Sequence, residues 1–168
     1  MKKIISLFQR NYDGDRLVRN EVVPGAEWVL AGEGKATRKF DGTCCMVRYG
    51  KLFKRYDSKA GKTPPPEFES AQEPDPVTGH WPGWLPVGDG PEDRWHREAW
   101  DKTGNPERPA GRAVGLPDGT YELCGPKVQG NPEGLTEHML LPHGFNVLLD
   151  APHDFDGLKA YLEHSPYE

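Results

Sequence analysis

The chain is 168 residues long with 35% hydrophobic residues, which suits one domain with a modest core and leaves little room for a second. Its net charge of −5 argues against a protein that holds nucleic acid mainly by a bulk positive field, although cations gathered on one face stay compatible with that role. No apolar run approaches a membrane span, the opening residues are too short in their apolar part for a secretory signal, and Cys44, Cys45 and Cys124 fall in no paired spacing. A soluble, cytoplasmic protein is therefore expected, without a disulfide framework or a Cys/His zinc site, and no obligate protein partner is evident.

Residues 27–31, Glu-Trp-Val-Leu-Ala, read as a strand that Gly32-Glu33-Gly34 breaks. Residues 43–49 and 52–56 are rich in β-branched and aromatic types and flank Gly50-Lys51, a two-residue hairpin signal. In the second of these strands Phe53 and Arg55 share one face and Lys54 and Tyr56 the other, so only one of the two cations can point toward a given site.

From 61 to 91 the chain is rich in proline and glycine, and a loop insertion without regular structure is expected there. Its two tryptophans, Trp81 and Trp84, favour a loop packed onto the domain over a free linker. A short helix over 92–101 should follow Pro91, with acidic residues in its first turn. Strands are expected at 120–124, after Pro117-Asp118-Gly119, and at 146–150, whose apolar run suggests a central position. Asp154 can cap a closing helix over 155–164, where Leu158, Tyr161 and Leu162 recur at helical spacing. Strands without regular helical crossovers predict an α+β domain with mostly antiparallel sheets.

The chemistry-bearing stretch is Thr37-Arg38-Lys39-Phe40-Asp41-Gly42-Thr43. Its Lys-x-Asp-Gly core supplies an amine nucleophile, a nearby carboxylate, and a glycine that permits close backbone approach. Alone the pattern is weak, since an Asp-Gly turn beside a surface lysine gives the same residues. A second element strengthens it: Gly119-Thr120-Tyr121-Glu122-Leu123-Cys124-Gly125, a strand carrying one carboxylate between glycine breaks.

Together the two stretches resemble motifs I and III of the covalent nucleotidyltransferase superfamily, the ATP-dependent polynucleotide ligases and messenger-RNA capping enzymes. The string Lys-x-Asp-Gly-Thr-Cys-Cys, the Lys54-Arg55-Tyr56 strand and the run from Pro64-Pro65-Pro66 to His80-Trp81-Pro82-Gly83-Trp84 are most similar to the small 5′-to-3′ RNA ligases. The resemblance implies a ligase adenylation-domain fold and RNA repair, in which 5′-phosphate and 3′-hydroxyl RNA ends are joined with ATP and Mg²⁺. It implies that Lys39 takes up AMP as a phosphoramidate. Asp41 would contact ribose or metal-bound water, and Glu122 ribose or hydrated metal. Lys54 and Arg55 would match the cationic strand that touches nucleotide or phosphate, with Arg55 favoured because its fork of donors suits phosphate. Thr37 and Arg38 would face the adenine edge, and Phe145 would stack on the base, with a core phenylalanine as the competing reading.

The chain departs from that pattern toward its end. Relatives continue with a Glu-Gly-x-Val strand and a Lys-x-Lys strand, and neither is complete here; Tyr167-Glu168 reads as the opening of the former, which makes Glu168 a further candidate metal ligand in a domain expected to be incomplete. Without those lysines activity in this chain is doubtful. The alternatives are a non-catalytic nucleotide- or RNA-binding fragment, a capping-type guanylyltransferase and a DNA ligase relative.

Overall fold

The computed structural model describes residues 4–103 and 115–165. They fall into two compact units, one of residues 39–143 and the other of 4–38 with 144–165.

In the first unit the register is set by Tyr49 and Gly50, which both adopt positive φ, 52° and 69°, the left-handed pair a tight two-residue hairpin turn requires. They join β3 (Thr43–Arg48) to β4 (Lys51–Ser58), so the turn lies one residue before the expected Gly50-Lys51. Around this hairpin stands a six-stranded antiparallel sheet that also contains β5 (Glu69–Ser70), β6 (Trp81–Pro86), β7 (Gly119–Cys124) and β8 (Met139–Pro142). The strand order is β5-β6-β4-β3-β7-β8.

Alternation divides the sheet into two faces. One face carries Cys45, Val47, Leu52, Tyr121, Leu123 and Leu140, all buried, and packs against Ala99, Trp95 and Trp100 of α2 (Arg94–Thr103). Each fully buried aliphatic side chain there contributes roughly 1.5–3 kcal/mol. Lys54 is on this helix-covered face. Its ammonium pairs with Asp93, which is 2% exposed and also accepts from the Gly88 N–H at 2.8 Å. Asp93 closes the 3₁₀ turn Pro91–Asp93 that leads into α2, so one buried carboxylate fastens the helix start to the sheet. His138, 3% exposed, fastens the far side: one ring nitrogen meets Glu98 of α2 at 3.1 Å, the other accepts from the Lys127 N–H at 3.3 Å, and the ring stacks on Trp95.

The 61–91 segment departs from its expectation as an irregular loop. Trp81–Pro86 is a full strand, six residues of which pair with β4. Prolines are tolerated because β5 covers only Gly83 and Trp84, leaving Pro82 and Pro86 outside that short contact. The helix over 92–101 is observed as the 3₁₀ turn plus α2, three residues longer in all, one at its start and two at its end.

In the second unit β1 (Phe8–Arg10) and β2 (Val18–Val22) form an antiparallel pair that the sequence reading did not anticipate. The expected strand at 27–31 is instead a single helical turn, α1 (Glu27–Leu30). The expected strand at 146–150 is also absent: Val147 makes one isolated bridge with Thr37, and Leu149 is 89% exposed. The strand that follows β7 in the sheet is β8 in the first unit, and it lies at the sheet edge, not at its centre. The closing helix, α3 (Phe155–Glu163), is as expected, with the Asp154 carboxylate accepting from the Gly157 N–H at 2.8 Å. No helix of the described residues is long and apolar enough to cross a membrane. The whole is α+β with antiparallel sheets and few helices, compatible with the adenylation-domain fold that the resemblance implies.

Candidate functional site

The face of the six-stranded sheet opposite α2 carries the site. Its centre is a row across neighbouring strands: Trp84 pairs with Arg55, Cys44 with Glu122, and Glu122 with Leu141. Continuing the β3–β4 register by one residue sets Arg55 opposite Cys44, so the row is unbroken from β6 to β8. Arg55 lies with its guanidinium 4.6 Å from the centre of the Trp84 ring, a cation–π contact that turns the cation toward β6. Trp84 itself is 3% exposed, so it is a core-side support for Arg55 and no open stacking platform.

Glu122 is the hub. One carboxylate oxygen accepts from the Gly42 N–H at 3.2 Å and the other meets His143 Nε2 at 2.8 Å. The Asp41 N–H, one residue earlier, is held by the Glu133 carboxylate at 3.0 Å. Two carboxylates thus peg successive backbone donors of the Lys-x-Asp-Gly segment. The glycine has a concrete reason: a Cβ at position 42 would stand 2.2 Å from the Leu123 carbonyl oxygen and 2.8 Å from Cys124 Sγ. Its smallness serves the approach of this segment to β7, where the sequence alone suggested approach to a ligand.

Lys39 is exposed and precedes Gly42 by three residues, with Phe40 buried between them. Three residues span at most about 11 Å, so the Lys39 backbone stays within that distance of a segment fixed on Glu122. Lys39, Asp41, Arg55 and Glu122 therefore belong to one unit, and Arg55 and Glu122 to one sheet face. Lys54 is on the opposite face against Asp93, as strand alternation requires. Thr37, Arg38 and Phe145 belong to the second unit. There the Thr37–Val147 bridge and an Arg38 N–H bond to the Asn146 carbonyl hold the 37–38 backbone, and Phe145 is 76% exposed, which excludes the core reading of that ring. Glu168 lies outside the described residues.

Two members of the site were not legible beforehand. Glu133 sits 92 residues from its partner, in an Asn-Pro-Glu-Gly turn that carries no chemical signature. His143 looked like one of six scattered histidines; it reaches Glu122 because it follows β8 directly, and that strand was placed elsewhere. Cys44 shares the face with Glu122, its cross-strand partner. Burial pushes its thiol up to about 11, with Arg55 opposing and Glu122 adding to the shift, so at neutral pH it is protonated and a poor nucleophile. One ligand atom each from Cys44, Glu122 and His143 lie within 4.8 Å of one another.

No protein-family profile matches the chain. The chain is similar to RNA ligase 1 of Mus musculus, with 31% identity over 178 aligned positions that cover 70% of this chain and 54% of the relative. It spans about half the length of the curated relative it matches.

Proposed function

We propose that this chain carries the nucleotide-transfer site of an ATP-dependent RNA ligase, in which Lys39 is the nucleophile. The observation that supports it best is the pegging of the Lys-x-Asp-Gly segment onto Glu122, the one carboxylate of β7 that shares its face with Arg55. Two stretches 80 residues apart in sequence, each suggestive alone, meet through a hydrogen bond. Similarity to a mouse protein named RNA ligase 1 favours RNA as the acceptor.

In this reading the Lys39 amine attacks the α-phosphorus of ATP. A nitrogen–phosphorus bond forms, the bond from that phosphorus to pyrophosphate breaks, and AMP stays on the lysine until a 5′-phosphate RNA end accepts it; attack by a 3′-hydroxyl then joins the ends and releases AMP. Arg55 offers a planar fork of donors to phosphate. Glu122 fixes the loop that carries the nucleophile and keeps a carboxylate close to the reacting centre. Glu122 and the exposed Asp41 are hard oxygen donors of the kind that hold Mg²⁺ through its waters, and the ion would supply charge neutralisation of the departing pyrophosphate.

The reading is tested by presenting the protein with Mg²⁺ and either ATP or GTP labelled at the α-phosphate, then chasing with RNA bearing a 5′-phosphate. Label from ATP that moves to RNA is the expected result. Transfer from GTP in preference to ATP would favour a capping-type enzyme, transfer to DNA in preference to RNA a DNA ligase, and nucleotide binding without covalent uptake a non-catalytic binding fragment.

A further inference from the structure

We propose that Cys44, Glu122 and His143 form a binding site for a borderline-soft divalent transition ion, Zn²⁺ being the fitting case. The site goes beyond the ligase reading and shares only Glu122 with it: there the carboxylate would act on Mg²⁺ through that ion's waters, whereas here it would bind the soft ion directly.

The argument starts from topology. Cys44 and Glu122 are direct cross-strand partners on β3 and β7, so their side chains leave the sheet together on the face away from α2. His143 follows β8, two residues beyond the Leu141 that pairs with Glu122, which brings its ring over the same spot. The three ligand atoms lie within 4.8 Å of one another, a spread that small side-chain rotations can close onto one ion. Thiolate, imidazole and carboxylate are together the donor set of zinc and cobalt sites, whereas Mg²⁺ and Ca²⁺ take oxygen.

The surroundings agree. Glu122 is largely buried, its side chain 12% exposed, and His143 is 26% exposed, so an ion here would be largely withdrawn from bulk solvent. The His143 ring is incompletely satisfied by protein groups: Nε2 meets Glu122, and the buried Nδ1 has no hydrogen-bond partner among the described residues. Arg55, the nearest strand neighbour of positive charge, has its guanidinium over Trp84 in β6. On binding, the Cys44 S–H proton leaves to solvent and a sulfur–metal bond takes its place. Three protein ligands leave a fourth position for water, the arrangement of an exchangeable site. Cys45 and Cys124 take no part. Cys45 is on the α2 face, and Cys124 bonds the Asp41 carbonyl at 3.8 Å.

The probe is Co²⁺ added alone to the reduced full chain, because a cobalt–thiolate bond gives a charge-transfer band in the near ultraviolet. One equivalent should develop the band, equimolar Zn²⁺ should abolish it, and a large excess of Mg²⁺ should leave it. Cys44→Ser should lose the band outright. His143→Gln, a half-buried change after the last strand that leaves the core alone, should weaken Co²⁺ binding about tenfold or more. Cys124→Ser should leave the band intact. A band that survives Cys44→Ser, one that Mg²⁺ displaces, unchanged affinity in a folded His143→Gln, or no band in the wild-type chain each overturns the site.

Discussion

Replacing Gly42 by alanine is the sharpest structural perturbation of the site, because a single methyl group separates the two roles a glycine can have. The new Cβ would stand 2.2 Å from the Leu123 carbonyl oxygen, 3.0 Å from its carbonyl carbon and 2.8 Å from Cys124 Sγ. Two of those atoms are β7 backbone, held by pairing to both β3 and β8, so the 40–43 segment must move instead. Overpacking of this kind costs about 1–3 kcal/mol. Movement also breaks the Gly42 N–H bond to the Glu122 carboxylate, worth about 1.5–3 kcal/mol for a charged acceptor. A total of about 4 kcal/mol follows, and with a urea slope of about 2 kcal/mol/M the midpoint should fall by about 2 M. Gly61 is the control: its φ is +71° but no atom lies within 4 Å of its would-be Cβ, so Gly61→Ala should cost only the left-handed strain of about 1 kcal/mol. The assay is urea denaturation of both variants followed by circular dichroism. A Gly42→Ala protein within about 0.5 kcal/mol of wild type, or no more affected than Gly61→Ala, would refute the close-approach reasoning.

Three further outcomes are expected. Asp93→Ala removes the partner of a half-buried Lys54 and an acceptor of the Gly88 N–H, and should destabilise by about 3 kcal/mol or more in the same denaturation measurement; Lys54→Met with Asp93→Asn together should recover part of that loss. His96 is held below its ordinary value of 6.5 chiefly by burial, with Lys54 and Arg97 adding and Asp93 opposing. The unfolded chain therefore binds the extra proton first, so stability should fall as pH drops below about 6.5 toward the lowered native value, and His96→Phe should flatten that part of the pH profile. Tyr49 holds a left-handed conformation at an exposed hairpin corner, and Tyr49→Asn should raise stability by about 1 kcal/mol; a lower melting temperature would contradict the turn assignment.

The central hairpin and β7 were legible because their residues alternate cleanly and Gly50 marks the turn, and from that alternation the opposed directions of Lys54 and Arg55 followed without coordinates. The 81–86 strand was hidden by its own composition: Pro82, Gly83 and Pro86 read as breakers, yet the two prolines fall outside the short β5 contact, and Gly83 lies within it, where a Cβ would stand 2.2 Å from the Phe68 ring. Apolar content misled at 146–150, where Val147-Leu148-Leu149 outscored the quieter Met139-Leu140-Leu141-Pro142; only Leu140 of that shorter run is fully buried, but its partner strand β7 was already in place to receive it. That one displacement hid His143, and with it the Cys44–Glu122–His143 cluster. Lys39, Asp41 and Glu122 could be picked out because each sits in a short local pattern. Glu133 and His143 act through contacts that only the folded sheet creates.

Lys39 remains the residue on which the functional reading turns. Incubating the wild-type chain to completion with Mg²⁺ and ATP labelled at the α-phosphate, then mapping the label by proteolysis and mass spectrometry, addresses it directly. The expected result is AMP on the peptide containing Lys39, acid-labile as a phosphoramidate, and absent from Lys39→Ala. Label on another residue, label that persists in Lys39→Ala, or a folded wild-type chain that takes up none would contradict it.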